Sequence, residues 1–489
     1  VAKLTSYDAI VVGAGPNGLA AAIVLAQAGM GTLLIEGHSE IGGGTRTAEL
    51  TLPGYRHDVC SAIHPMAAVS PFFRSLPLQE LGVEWIDSPA ALAHPFDDGS
   101  AALLERSLDR TAEGLGTDAD AYRSIFAPLL RGPERLLPEL LGPLRWPRDP
   151  VGMARFGLMA LRSASGFADA HFRGPLARGL FAGCAAHSFL RFDRASSAAI
   201  GLALMVTAHA VGWPFPRGGS AAIPRALAAQ FERLGGEIET GRPVRSLADL
   251  PPAKAVVFDV TPRQLLAICG DRLPPGYRRR LGQYRYGPGV FKLDWALDGP
   301  IPWKADACGR AATVHLGGTL EAVAESEAAI GGGVHPEKPF VLVAQPSLFD
   351  PSRAPPGKHT GWAYCHVPHA STLDMTLAIE MQVERFAPGF RDRILARRGM
   401  GPAAFEAYNE NYVGGDITGG VTDLGQLFTR PVARLVPYAT ADKAIYIGSS
   451  STPPGAGVHG MCGYFAARAA LRRAFGRRPS ELAVAEHRR

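Results

Sequence analysis

The first apolar run, Ala9 to Val12 in DAIVVGAG, meets a glycine turn, as a strand buried on both faces of a parallel sheet does. The thirteen residues GLAAAIVLAQAGM after it are mostly small or apolar helix formers and predict a helix; GTLLIE then predicts a second buried strand ending at Glu36. The pattern returns far downstream. PFPRGGSAAIPRALAAQFERLGGEIETGRPVRSL, Pro214 to Leu247, predicts a glycine turn at Gly218 and Gly219, then a helix with Ile223, Leu227, Phe231 and Leu234 on one face, then a strand ending near Val244. KAVVFDVTP predicts a further buried strand that stops at Pro262, and FVLVAQPS a strand between Pro/Gly-rich loops. AIYIG predicts a last strand, which delivers Gly448 to a Pro/Gly-rich loop and a helix starting near Gly460.

Two stretches are more ambiguous. ASSAAIGLALMVTAHAVGWPF, Ala195 to Phe215, has no Asp, Glu, Lys or Arg and approaches the ~20 residues of a membrane span. Its many Ala, Gly, Ser and Thr residues, His209 and Pro214 predict instead a buried helix packed closely on its neighbours. From Arg145 to Phe192, Met, Phe and Leu mix with Arg at helical spacing, which predicts core. The alternative there is an apolar substrate tunnel whose mouth rests on a membrane surface.

With 489 residues the chain exceeds one ordinary core, so two or three domains and an interior large enough to enclose a cofactor are expected. The net charge of +5 is spread along the whole length without a dense basic run, which excludes a nucleic-acid footprint. The basic end, Arg472, Arg473, Arg477, Arg478, Arg488 and Arg489, predicts a solvated terminus, with contact to anionic lipid as the alternative. The six cysteines, Cys60, Cys184, Cys269, Cys308, Cys365 and Cys462, stand far apart with no CxxC and no metal-ligand spacing. They predict buried thiols of a reducing compartment, no redox disulphide and no metal site. The strand pattern begins at about Tyr7 and leaves no room for a signal peptide in this sequence, so a cytoplasmic location is expected.

Gly13, Gly15 and Gly18 form GxGxxG between a strand and a helix, the context that motif needs. Gly13 serves the tight turn, Gly15 the approach of backbone to a pyrophosphate, and Gly18 the packing of helix on strand, while the helix N-terminus offers unpaired N–H groups to phosphate. Glu36, eighteen residues after Gly18, is placed to accept hydrogen bonds from both ribose hydroxyls. No Arg follows within the next few positions to meet a 2′-phosphate, which argues against NADP. An NAD unit usually continues into a helix here, whereas this chain turns into Gly42, Gly43, Gly44 and Arg46. That loop combines backbone able to lie flush against a ligand with a cation that reaches phosphate or a flavin edge. It suits a cofactor with a bulky second half, and FAD is the cofactor expected.

VVGAGPNGLAAAIVLAQAG, IEGHSEIGGGTRT, PRGGSAAIPRALAAQFERLGGEI, and GGDITGGVTDLGQLFTRP with YIGSSSTPPGAGVHGMCG run the whole chain in order and spacing. Together they resemble the phytoene desaturase and carotenoid isomerase-like family of FAD-dependent oxidoreductases, close to the pyridine nucleotide-disulphide oxidoreductase-like members that lack a redox disulphide. The resemblance implies an α/β, two-domain FAD-dependent oxidoreductase. Its interrupted Rossmann-type FAD-binding domain would comprise residues 1–75, 214–290 and 430–489, and its mixed α+β substrate-binding domain residues 76–213 and 291–429. It implies that Gly13, Gly15, Gly18, Glu36, Gly43, Gly44 and Arg46 bind FAD and that Val244 contacts adenine through its backbone. It further implies that Gly448, Gly457, Val458, His459 and Gly460 line the flavin.

The chemistry expected of such a site is dehydrogenation of an apolar, isoprenoid or polyketide-like substrate by hydride transfer to flavin N5. A conjugated system next to the reacting carbon would stabilise the developing cation, so a strong protein base is not required. A redox-neutral cis-trans isomerase and a hydrophobic-ligand carrier with structural flavin are the alternatives. His187, His209 and His459, each in apolar surroundings, are the catalytic candidates beside a purely structural role. Only one complete GxGxxG is followed by a ribose acid. Electrons are therefore expected to leave to oxygen or a quinone, without a tight NAD(P)H site.

Overall fold

Four short apolar segments and the half-buried strand Glu237–Glu239 build a parallel sheet from three distant parts of the chain, as seen in a computed structural model that describes residues 6–478. The strands β1 (Ala9–Val12) and β2 (Thr32–Ile35) flank the helix α1 (Pro16–Gln27) in sequence. Across the sheet the order is Ile445–Ile447, Ala255–Phe258, β1, β2 and Glu237–Glu239, and every pairing is parallel. The inner strands AVVF, AIVV and TLLI are buried on both faces, which is why their sequences do not alternate. α1 is buried on nearly all sides because the helices Met461–Ala474 and Ala222–Arg233 pack against it. A Cβ on Gly463 would strike the Asn17 carbonyl oxygen, so a missing side chain sets how closely two of these helices approach.

Two details differ from the sequence reading. The strand after Ala222–Arg233 ends at Glu239, and Val244 lies beyond it in a loop, because Gly241 takes a left-handed φ of 67° and turns the chain away. Leu234 is the C-cap of that helix and is partly exposed, while Ile223, Leu227 and Phe231 form its buried face.

A second sheet of seven strands borders the same cavity as this unit. Its order is Ile394–Met400, Gly289–Leu297, His359–Val367, Val341–Ala344, Ala311–Leu316, Ala90–Pro95 and Ala101–Leu104. One face carries Leu293, Trp295, Val343, Ala363 and Cys365 against Ile379, Val383, Phe386 and Phe390. By strand alternation the opposite face carries Lys292, Asp294, Trp362, Tyr364, Leu342 and Thr313. The long strand Gly289–Leu297 begins two residues before position 291, where the substrate side was expected to resume.

The segment Ala195 to Phe215 contains the helix Ala198–Val211, which ends at Gly212 with φ 80°. Among the described residues no helix is long and apolar enough to cross a membrane. The stretch from Arg145 to Phe192 divides into two kinds of surface. The helix Pro175–Ala186 is core, but the helix Pro150–Ala160 buries only Phe156 and Ala160 and leaves Val151 and Leu158 in the open. All six cysteines are buried. Arg472, Arg473, Arg477 and Arg478 are exposed, whereas Arg488 and Arg489 lie outside the described residues.

Candidate cofactor cradle and substrate cavity

β1 ends in a turn that only glycine fits easily, since Gly13 has φ 100° and its N–H donates to the Ile35 carbonyl at 2.8 Å. Gly15 is the N-cap of α1 and Pro16 fills its first turn, where the missing N–H costs nothing. A Cβ on Gly18 would run into the Gly13 carbonyl oxygen, so the turn folds directly onto the helix. The Glu36 carboxylate accepts hydrogen bonds from the Ala14 amide at 2.7 Å and the His38 amide at 2.9 Å. A carboxylate offers about four lone-pair sites, so acceptor capacity remains on a side chain that borders the cavity. The second glycine loop backs onto the first, and a Cβ on Gly43 would stand 3.3 Å from the Gly15 Cα.

Arg46 braces that second loop. Its guanidinium donates to the Glu40 carbonyl at 2.6 and 3.0 Å and lies 3.5 Å from the Glu36 carboxylate and 5.3 Å from the centre of the Tyr408 ring. The fold thus supplies a cation beside Glu36 that spacing alone did not reveal, although its donors are largely spent on carbonyls of its own loop.

One continuous cavity of about 1290 Å³ begins at this cradle. Gly13, Gly15, Glu36, Gly43, Gly44, Arg46, Val244, Gly457, Val458 and His187 border it. Gly18, Gly448, Gly460, His209 and His459 do not. Gly18 donates its N–H to Asp259. Gly448 packs on Ala466 and Gly463, and Gly460 caps the helix Met461–Ala474 against Phe73 and Ala20. His209 Nε2 meets the Tyr122 hydroxyl at 2.7 Å. His459 Nδ1 accepts the Met461 N–H at 3.0 Å, and burial lowers its pKa to about 4. His187, at the cavity wall, is also held neutral, since burial lowers its pKa to about 3, and its Nε2 is 3.0 Å from that of His315.

Several groups at the site escaped the sequence reading. Asp259, just past the strand Ala255–Phe258, accepts the Gly18 N–H at 2.9 Å and borders the cavity. Burial raises its pKa from 3.8 to about 7, the Glu36 charge adds to the rise, and the Gly18 bond opposes it. On the cavity side of the large sheet, Lys292 is fully buried, hydrogen-bonded to Asp294, and 5.6 Å from the centre of the Trp362 ring. Burial pushes the Lys292 ammonium below its ordinary range and lifts the Asp294 carboxyl to about 6. Nearby, His366 Nδ1 is 2.9 Å from the Glu327 carboxylate, and both are buried. A signal for the lysine pair was present: GVFKLDWAL is apolar on both faces except for two charges two residues apart, which share one face.

The site fits a flavin dinucleotide. Asn17 Oδ1 and Trp362 Nε1 are buried without a hydrogen-bond partner and belong to residues bordering the cavity, and Glu36 keeps acceptor sites open. The volume exceeds the 300–1,000 Å³ of an ordinary small-molecule pocket, leaving room for more than a nucleotide. A glycine turn on a helix N-terminus, the Glu36 carboxylate beside it and an apolar cavity bordered by both sheets make a site that suits a dinucleotide and leaves room for an apolar ligand. Residues 11–76 match the NAD(P)-binding Rossmann-like domain family. The chain is 26% identical to the mouse (Mus musculus) pyridine nucleotide-disulfide oxidoreductase domain-containing protein 2, over 95% of this chain and 93% of that one. It is 27% identical to the phytoene dehydrogenase of Streptomyces griseus, covering 79% and 77% of the two chains. In fold it is similar to an oxidoreductase from Methanosarcina mazei, with TM-score 0.64, 16% identity and 94% and 98% coverage. A redesigned putrescine oxidase gives TM-score 0.64, 17% identity and 96% and 99% coverage. The resemblance to phytoene desaturase-like oxidoreductases therefore holds, and the chain shares the fold of these solved oxidoreductases.

Proposed function

We propose that this enzyme dehydrogenates an apolar substrate, creating a carbon–carbon double bond, and passes the electrons to oxygen or a quinone. The observation that carries the reading is the continuity of the cavity. The space that starts at Gly13 and Glu36 runs on between Phe156, Phe189, Ile200 and Leu204, with Trp362 and Tyr364 on its floor. Bound FAD supplies a two-electron acceptor for a hydride from carbon.

The chain's own residues bind and orient. Gly13, Gly15 and the N-terminus of α1 hold the phosphates, and Glu36 fixes the ribose. Phe156, Ile200 and Leu204 exclude water and hold the apolar substrate. His187 is too weak a base at neutral pH to drive proton removal. A conjugated system next to the reacting carbon stabilises the cation left by hydride loss, and the proton from the neighbouring carbon passes to water at the mouth of the cavity, beyond the apolar walls, as the double bond forms. Lys292 and Asp294 neutralise one another beneath the floor. Glu139, the acid bordering the apolar end, pairs with Arg145 at 2.9 Å, so its charge is met within the chain and is not left to a cationic amine such as the putrescine bound by the putrescine oxidase.

The test is product mass after incubating FAD-loaded protein aerobically with a panel of conjugated hydrocarbons. Loss of two hydrogens per cycle with oxygen consumption supports the reading. Unchanged mass with altered double-bond geometry makes the protein an isomerase, and retention of unaltered hydrocarbon makes it a carrier.

A further inference from the structure

Two buried polar groups on one row of the large sheet border the cavity without a partner. Thr313 pairs with Ala344 on the neighbouring strand, and Ala344 pairs in turn with Trp362 on the next. Side chains paired across strands share a face, so a single methyl group separates the threonine hydroxyl from the indole. Thr313 is 2% and Trp362 8% exposed, yet neither Oγ1 of the one nor Nε1 of the other has a hydrogen-bond partner among the described residues, and both residues border the cavity. A buried donor left unpaired is costly, and native structures pair nearly all of them. Two such donors flanking one small residue at a cavity wall call for a ligand that supplies the acceptor.

The donor set selects the ligand atom. An indole N–H only donates, and a threonine hydroxyl donates through a hydrogen that rotates to suit, so a carbonyl oxygen with its two lone pairs takes both. The charges nearby exclude a carboxylate. Lys292 lies 5.6 Å from the centre of the Trp362 ring, but it is spent on Asp294, the residue paired with Trp362 on the strand beyond, and no free cation is left there to meet an anion. A cationic ligand finds no acceptor in the indole. Leu342, Phe156, Phe189, Ile200 and Leu204 make the rest of this part of the cavity apolar, so the oxygen is carried on an apolar skeleton. Asn17, by contrast, lies in the first turn of α1 beside the glycine cradle, where the phosphates of the cofactor are expected.

We propose that Thr313 and Trp362 grip a carbonyl oxygen of the substrate, which makes the substrate an apolar carbonyl compound. The oxygen is an anchor and takes no part in the hydride transfer. The inference rests on the reading of the cavity as an apolar substrate site and adds one polar contact to it. The experiment measures binding without turnover, by equilibrium dialysis of the FAD-loaded protein against hexanophenone and against hexylbenzene, the same carbon skeleton with CH2 in place of the carbonyl. Thr313→Val and Trp362→Phe each remove a donor and keep an apolar side chain, and Thr313→Ser keeps the hydroxyl. Each donor-removing variant is expected to weaken hexanophenone binding about tenfold and hexylbenzene binding by less than about twofold, with Thr313→Ser close to wild type and FAD content unchanged in all three. Equal losses for the two probes, or no loss for hexanophenone, overturn the carbonyl anchor and leave the apolar-site reading standing. Loss of FAD from Trp362→Phe also overturns it, by assigning that N–H to the cofactor. Failure of wild-type protein to bind either probe overturns the anchor and the apolar-site reading together.

Discussion

The Asp259 carboxylate accepts the backbone N–H of Gly18 at 2.9 Å, so an acid from one strand end occupies the first turn of the helix whose N-terminus borders the cavity. Its folded pKa is raised from 3.8 to about 7 by burial, meaning the folded chain binds this proton more tightly than the unfolded chain does. The resulting stability is fully present below about pH 4 and is lost as pH rises through about 7. Asn at this position keeps the acceptor and removes the charge. Each pKa unit is worth ~1.4 kcal/mol, so Asp259→Asn is predicted to stabilise FAD-free protein by an amount on the order of 1–4 kcal/mol at pH 8. Melting curves should show the advantage over wild type growing between pH 4 and 7 and then levelling. A difference that does not change with pH would count against the buried acid.

Lys292 and Asp294 make a second prediction, about stability alone. Removing one member of a buried ion pair strands the other, at a cost of ~3–5 kcal/mol, whereas replacing both with apolar residues of similar size is often neutral. Lys292→Ala should therefore lower the denaturant midpoint sharply, and Lys292→Met combined with Asp294→Leu should recover most of the loss. Equal damage from the single and double variants would mean the pair does more than neutralise itself.

Ala203 lines the cavity from the helix Ala198–Val211, next to Ile200 and Leu204. Ala203→Phe should fill the apolar arm without reaching the cradle. Turnover of a long hydrocarbon is predicted to fall at least ~10-fold, about 1.4 kcal/mol in kcat/KM, with FAD content unchanged. Loss of FAD together with turnover would show that the two parts of the cavity are not separable.

The proposal that oxygen or a quinone takes the electrons rests on there being one complete glycine motif followed by an acid, Glu36. NADH and NADPH should reduce the flavin slowly and without saturation in stopped flow, while air or a soluble quinone reoxidises it fast. Rapid, saturable reduction by either nicotinamide at micromolar concentration would move the protein among the reductases.

The β1, α1, β2 unit was legible because it is local: the glycines, the helix and Glu36 lie within about thirty residues and their periods are clean. The edge strand was placed too far along because Glu237–Glu239 is half-buried and pairs on one side only, leaving a weak pattern. Arg46 beside Glu36, and Asp259 beside Gly18, depend on how loops close over 10 and 241 positions, which no local period encodes. For the histidines an apolar context marks burial: His209 is hydrogen-bonded to Tyr122, 87 positions away, and His459 to the Met461 N–H, and neither borders the cavity.

The central claim is that the cradle around Glu36 holds FAD, and the most direct measurement is chromatography of the cofactor released on denaturation. Wild-type protein should release one FAD per chain. Glu36→Arg, which replaces the ribose acceptor with a bulky cation and takes away the acceptor for the Ala14 amide, should release none while keeping its far-ultraviolet spectrum. Release of NAD or NADP from the wild type, or of a full equivalent of FAD from the variant, would contradict the account.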